Sequence, residues 1–166
     1  MYNFHQSRPT CIRQIDKQLE LPGEQITANM SPLVWQQVES DRPLHCLVVA
    51  NDGSNWATTP NDQILFRETA TSPWVVLDGA CVTVRVSSGG NVFCLNRTGN
   101  LYYREGISYS CPQGNHWAPI TGSPTLLDFG VANGVLWVID TAQRILFREG
   151  ITMENPKGTQ YRIQYG

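Results

Sequence analysis

Ile145-Leu146-Phe147-Arg148-Glu149-Gly150-Ile151 is written three times in this chain. Its other copies are Leu101-Tyr102-Tyr103-Arg104-Glu105-Gly106-Ile107 and, more worn, Ile64-Leu65-Phe66-Arg67-Glu68-Thr69-Ala70. Each is an apolar or aromatic triplet, then Arg-Glu, then turn formers, the pattern of a short strand running into a loop. Aligned on the arginine, the copies share more than the triplet. Fourteen positions upstream stands Gly53, Gly90 or Gly134, and eleven upstream stands Trp56, Phe93 or Trp137. In the last two copies Pro112 or Pro156 follows eight positions downstream and Gly114 or Gly158 ten downstream, whereas the first copy lacks six residues there. Agreement in this many columns marks internal duplication.

A second mark opens the strand that follows each arginine. Trp35-Gln36-Gln37-Val38 returns as Trp74-Val75-Val76-Leu77, Trp117-Ala118-Pro119-Ile120 and Tyr161-Arg162-Ile163-Gln164, at steps of 39, 43 and 44 residues. A period near 40 belongs to propeller blades and to helical arrays. Many Gly, Pro and β-branched residues and no 3.6-residue apolar spacing disfavour the helical arrays. The expected fold is all-β, with four antiparallel strands per unit. In the last unit these are residues 126–131, 135–140, 144–148 and 161–165. With the Trp strand outermost, three complete blades span 44–77, 82–120 and 126–165. Trp35–Val38 would be the outer strand of a partial blade, to which residues 1–34, an N-terminal extension with short strand-like runs at 11–15 and 25–28, would contribute.

The bulk properties narrow the function by exclusion. At 166 residues with 16% charged residues and a formal charge of −2, the chain suits one soluble domain and shows no basic excess for nucleic acid. No apolar run approaches the length of a transmembrane helix. Met1–Gln6 lacks the layout of a signal peptide, which makes the cytoplasm the default if Met1 is the native start, and secretion the alternative otherwise. Five cysteines cannot all pair internally, and Cys46, Cys81 and Cys94 sit in strand-like runs that suit buried thiols. Asn29 and Asn96 fit the glycosylation pattern, which matters only for a secreted protein. His5, His45 and His116 have no metal-ligand spacing, and no nucleophile elbow, phosphate loop or zinc motif occurs. The expectation is a non-enzymatic protein without metal or cofactor.

The repeated unit resembles the tectonin repeat: Trp117-Ala118-Pro119-Ile120, then Gly134-Val135-Leu136-Trp137-Val138, then Leu146-Phe147-Arg148-Glu149-Gly150-Ile151, then Pro156-Lys157-Gly158. The resemblance covers residues 35–166 and implies β-propeller blades. It also implies one of two functions. One is a lectin for glycans or lipopolysaccharide. The other is an intracellular protein-interaction scaffold, of the kind used in autophagy and membrane traffic, with no sugar site. Three blades and a remnant do not close a ring of the usual four to eight, so a homo-oligomer or docking on a partner protein is expected, the alternative being a fragment of a longer chain.

Two sets of residues compete for the ligand. Arg67, Arg104 and Arg148, with Trp35, Trp74 and Trp117, recur once per unit, as blade-packing residues would. The polar loops bearing Asn51, Asp52, Asn55, Asn91 and Asn133 recur at one end of each blade, as a multivalent binder requires, although turns also demand such residues. The ligand is therefore sought in the loops and the arginines are read as architectural.

Overall fold

The computed structural model describes residue 35 and residues 37–163, the last four by backbone alone. Gln37–Gly166 form one compact unit. The expected strands at 11–15 and 25–28, His5 and Asn29 lie outside the described residues.

Twelve strands and no helix occur among the described residues, in three four-stranded antiparallel sheets. The first sheet holds β1 (Cys46–Val49), β2 (Asn55–Thr58), β3 (Ile64–Arg67) and β4 (Val75–Leu77). The second holds β5 (Thr83–Val86), β6 (Val92–Leu95), β7 (Leu101–Glu105) and β8 (His116–Pro119). The third holds β9 (Leu126–Ala132), β10 (Val135–Asp140), β11 (Ile145–Glu149) and β12 (Gln160–Ile163). Strand order follows chain order in each sheet, so each is an up-and-down blade. The blade limits read from the repeat agree with these sheets to within a few residues.

The hairpins at one end follow a single recipe. In the β2–β3 connection Asp62 N donates to Thr59 O and Thr59 N to Gln63 O; Gly99 with Asn96 and Asn100, and Gln143 with Asp140 and Arg144, repeat both bonds. The residue two before the second strand is left-handed in all three (φ of 63°, 79° and 63° at Asp62, Gly99 and Gln143), the type I turn with a bulge that suits a four- to five-residue hairpin. The side chain that opens the turn caps it: Asn96 Oδ1 accepts from Thr98 N and Asn100 N, and Asp140 Oδ1 from Ala142 N and Arg144 N.

Strand alternation gives each blade two faces. Trp56 and Phe66, cross-strand partners, turn toward the second blade and pack with Val84 and Val92. Phe93, Leu95, Leu101 and Tyr103 of the second blade turn toward the third and pack with Leu126, Phe129, Leu136, Val138 and Leu146. We call the face turned toward the next blade outgoing and the opposite one incoming. Each fully buried aromatic or Leu contributes about 1.5–3 kcal/mol, so the two junctions carry much of the stability. A third cluster, Ile64, Cys81 and Cys94 under Trp117, joins the first two blades. Cys46, Cys81, Cys94 and Cys111 are free thiols, with Cys81 and Cys94 buried and Cys46 half-buried.

The expected strand at Trp35 is a correction. Residues 35 and 37–40 carry no strand, and the Trp35 ring is fully exposed. Trp74 and Trp117 are each held against an arginine of the preceding strand in their own blade; the residues before Trp35 lie outside the described residues.

Candidate functional site

The guanidinium groups lie in the walls of the blade junctions. Arg67 stacks over the Trp74 ring at 4.3 Å and Arg104 over Trp117 at 5.2 Å, because the aromatic that opens the last strand is the arginine's cross-strand neighbour. All three arginines are buried, and each donates to protein acceptors. Arg104 Nε donates to Gln113 O at 2.9 Å, and its Nη1 meets the Asp78 carboxylate of the preceding blade at 2.5 Å. Arg148 Nη1 donates to Lys157 O and Nη2 to Thr121 O. Trp117 Nε1 donates to Asp78 O across the same junction, whereas Trp74 Nε1 is buried without a partner among the described residues.

The Pro-x-Gly loops exist to receive these arginines. Gly114 and Gly158 are left-handed, and a Cβ on either would stand 2.6 or 2.5 Å from the Glu105 or Glu149 carbonyl oxygen. That close approach turns the Gln113 and Lys157 carbonyls inward. The first blade lacks the loop, and there Asn55 substitutes: its Oδ1 accepts from Arg67 Nε and Nη2 at 3.3 and 3.1 Å.

The other loop residues are also engaged. Asn51 Nδ2 donates to Ser88 O at 2.8 Å and Asn91 Nδ2 to Thr152 O at 2.9 Å, each bond linking one blade's loop to the next. Asp52 Oδ1 accepts from Ser54 N and Oγ within its own turn. Asn133 is exposed and, with Gly134, forms a two-residue turn in which both φ values are positive (49° and 75°). The five residues are therefore spread along one rim of the array and do not converge on one point.

What the rim does hold is a groove repeated at the two blade junctions, beside Glu105 and beside Glu68. Because neighbouring strand residues point to opposite faces, burial of Arg104 leaves Glu105 at the surface. The second-to-third groove, about 350 Å³, is lined by Asn91, Tyr103, Glu105, Ile107, Met153 and Glu154. Its counterpart between the first two blades, about 310 Å³, contains Phe66, Arg67, Glu68 and Gln113, at the repeat positions of Tyr103, Arg104, Glu105 and Lys157. A third hollow of about 230 Å³ brings together Asn51, Asp52, Trp56, Ser88 and Met153.

Glu105 is the most organised of these polar groups. The Tyr103 hydroxyl donates to its Oε1, and His116 Nε2 lies 2.8 Å from Oε2. The Tyr103 hydrogen bond, followed by the His116 charge, holds the Glu105 carboxyl below its usual range. Burial and then the Glu105 carboxylate push the Tyr103 phenol up to about 12. Lys157 stands over the Tyr103 ring at 5.6 Å. The arrangement is a fixed anionic acceptor beside an aromatic wall, able to accept hydroxyl or amide donors. The fully exposed Tyr109 stands in the adjoining β7–β8 loop. The sequence signal for this groove is the glutamate of the Arg67-Glu68 and Arg104-Glu105 pairs. No group of three or more His, Cys, Asp or Glu side chains with metal-binding geometry occurs among the described residues.

Comparison with known proteins gives these features a context. Residues 14–141 match the tectonin domain family, and residues 135–160 match a propeller family. The chain is 30% identical over 96 residues to the fish-egg lectin of Cyprinus carpio, covering 52% of this chain and 40% of that protein. It is 28% identical over 108 residues to the perivitellin-2 31 kDa subunit of Pomacea maculata, covering 60% and 36%. The chain thus spans well under half the length of these relatives. Among solved structures it resembles YCF48 bound to D1 peptide, with a TM-score of 0.56 at 12% identity over 80% of this chain and 43% of that one, a likeness of fold alone.

Proposed function

Because this chain belongs to the tectonin family, we propose that it is a non-enzymatic lectin that binds glycans in the inter-blade grooves beside Glu68 and Glu105. The observation that carries the reading is the recurrence of one groove at both junctions, with an acidic residue, an arginine and an aromatic ring in the same places. Pyranose rings offer an apolar face and directional hydroxyls, which such a wall and carboxylate match. Shallow grooves bind weakly one at a time, and avidity comes from engaging several together. Carboxylates at Glu105 and Glu154 favour neutral or amide-bearing sugars over phosphorylated lipopolysaccharide. Asn133, exposed at the rim, and the free carboxylate oxygen of Asp52 extend the polar surface. A reducing, cytoplasmic compartment belongs to the same proposal, supported by the buried free thiols Cys81 and Cys94.

A glycan array with a lipopolysaccharide panel, probed with the folded chain, tests this directly. Binding to a neutral glycan is expected, and Glu105→Gln should weaken it about tenfold while leaving the melting temperature within a few degrees. No glycan bound by folded protein would overturn the lectin reading. The second reading, a protein-interaction scaffold, is favoured by one observation, the exposed apolar face of the third blade at Trp137, Ile139 and Ile145. It expects a silent array.

A further inference from the structure

We propose that the groove beside Glu105 is one half of a longer trough, and that the trough takes a linear, uncharged oligosaccharide of two or three units. The assignment rests on the lectin reading and deepens it, because it gives the hollow at Asn51, Asp52 and Ser88 the role of a second subsite.

The two hollows adjoin. Ile107 and Met153 line both, with the groove of about 350 Å³ on one side and the hollow of about 230 Å³ on the other. Met153 is exposed and lies against the β5–β6 turn, where a Cβ on Gly90 would stand 3.7 Å from its Sδ. A flexible thioether adapts to what lies on it, so Met153 joins the hollows instead of dividing them. The groove between the first two blades shares no lining residue with this hollow. The trough therefore belongs to the second-to-third groove. Its frame is set by two amides. Asn51 Nδ2 on Ser88 O ties the first blade's turn to the second's, and Asn91 Nδ2 on Thr152 O ties the second blade to the loop that carries Met153. Walls drawn from three blades are thereby held before a ligand arrives, which lowers the ordering cost of binding.

The same chemistry stands at both ends. In the groove, the Glu105 carboxylate is oriented by the Tyr103 hydroxyl and His116 beside the Tyr103 ring. In the hollow, Trp56 and Val92 contribute apolar lining, and Asp52 brings a carboxylate whose Oδ1 is held by Ser54 N and Oγ. Each end thus offers an apolar patch and an anionic acceptor, which suit the face and the hydroxyls of one sugar ring. Of the cations nearby, Arg104 is paired with Asp78 and Lys157 lies over the Tyr103 ring. Asp52, Glu105 and Glu154 leave the trough acidic, which disfavours uronic, sialic and phosphorylated units. Each hollow is at or below the small end of the roughly 300–1,000 Å³ usual for small-molecule sites. Affinity is gained when one ligand chain fills both.

Titration calorimetry on the full chain tests the proposal with N-acetylglucosamine and its β1,4-linked trimer, and with mannose and mannotriose. Soluble single ligands remove avidity from the comparison. At least one trimer is expected to bind about tenfold more tightly than its own unit. Ser88→Arg puts a long side chain at the exposed turn of the hollow. It should abolish that gain and leave single-unit binding unchanged. Asp52→Asn keeps the Oδ1 that Ser54 uses, and should weaken trimer binding about threefold. Near-UV circular dichroism checks that each variant is folded, and placing the two changes in separate turns keeps the test open if one turn is disturbed. A trimer that binds no better than its unit, or a gain that survives both variants, would overturn the trough and leave the lectin reading standing. Failure of both trimers to bind would overturn it as well, and a silent glycan array would take the lectin reading with it.

Discussion

Asp140 shows how much one side chain contributes when every lone pair is used. It is buried, and it accepts from Ala142 N and from Arg144 N, Nε and Nη2. The Arg144 backbone bond comes first, and with the guanidinium it holds the Asp140 carboxyl below its ordinary value despite the cost of burial. A folded-state pKa depressed below the unfolded one contributes stability above the unfolded pKa, near 3.8, and loses it as pH falls through the folded value. Wild type should therefore lose more melting temperature than Asp140→Asn on acidification from pH 5 to pH 3, the two curves converging at the acid end. Parallel curves would remove Asp140 from the acid response. Little of this was legible beforehand. Asp140 read as the end of an apolar run, and Asn51 and Asn91 read as ligand contacts. Their amides are used on Ser88 O and Thr152 O, acceptors 37 and 61 residues away that only the junction brings near.

At the scale of strands and loops the sequence was far more transparent. Apolar triplets, glycines at fixed offsets and the Arg–Trp spacing located the blades to within a few residues, because strand length and hairpin chemistry are local properties. The Pro-x-Gly loop shows the limit of that view. Its recurrence was visible, but its task of aiming a carbonyl at a buried guanidinium was not. Gly114→Ala would place a Cβ 2.6 Å from Glu105 O and 2.8 Å from Arg104 Cγ at a φ of +64°. The left-handed backbone alone costs about 1–2 kcal/mol, and the clash adds to it. Urea unfolding should show a loss of at least that size, whereas Gly53→Ala, also left-handed but with open space around it, should lose only the backbone part. Equal losses at the two glycines would mean that the loop moves aside freely. The strand expected at Trp35 is not formed by residues 35 and 37–40.

Across the whole molecule the three blades are not equivalent, although their sequences nearly are. Among the described residues the second alone has a blade on both faces, with Val84 and Val92 turned to one neighbour and Phe93 and Leu101 to the other. In arrays where each unit touches only its neighbours, stability is a sum of unit and junction terms. The middle unit, sharing two junctions, opens last. Amide hydrogens of β6 and β7 should exchange most slowly, and those of β10 and β11 sooner, even though all four strands are fully bonded in their sheets. Uniform protection across the blades would instead indicate all-or-none opening. Trp137, exposed on the outgoing face of the third blade, reports on whatever covers that face: its fluorescence shifts as the indole leaves water.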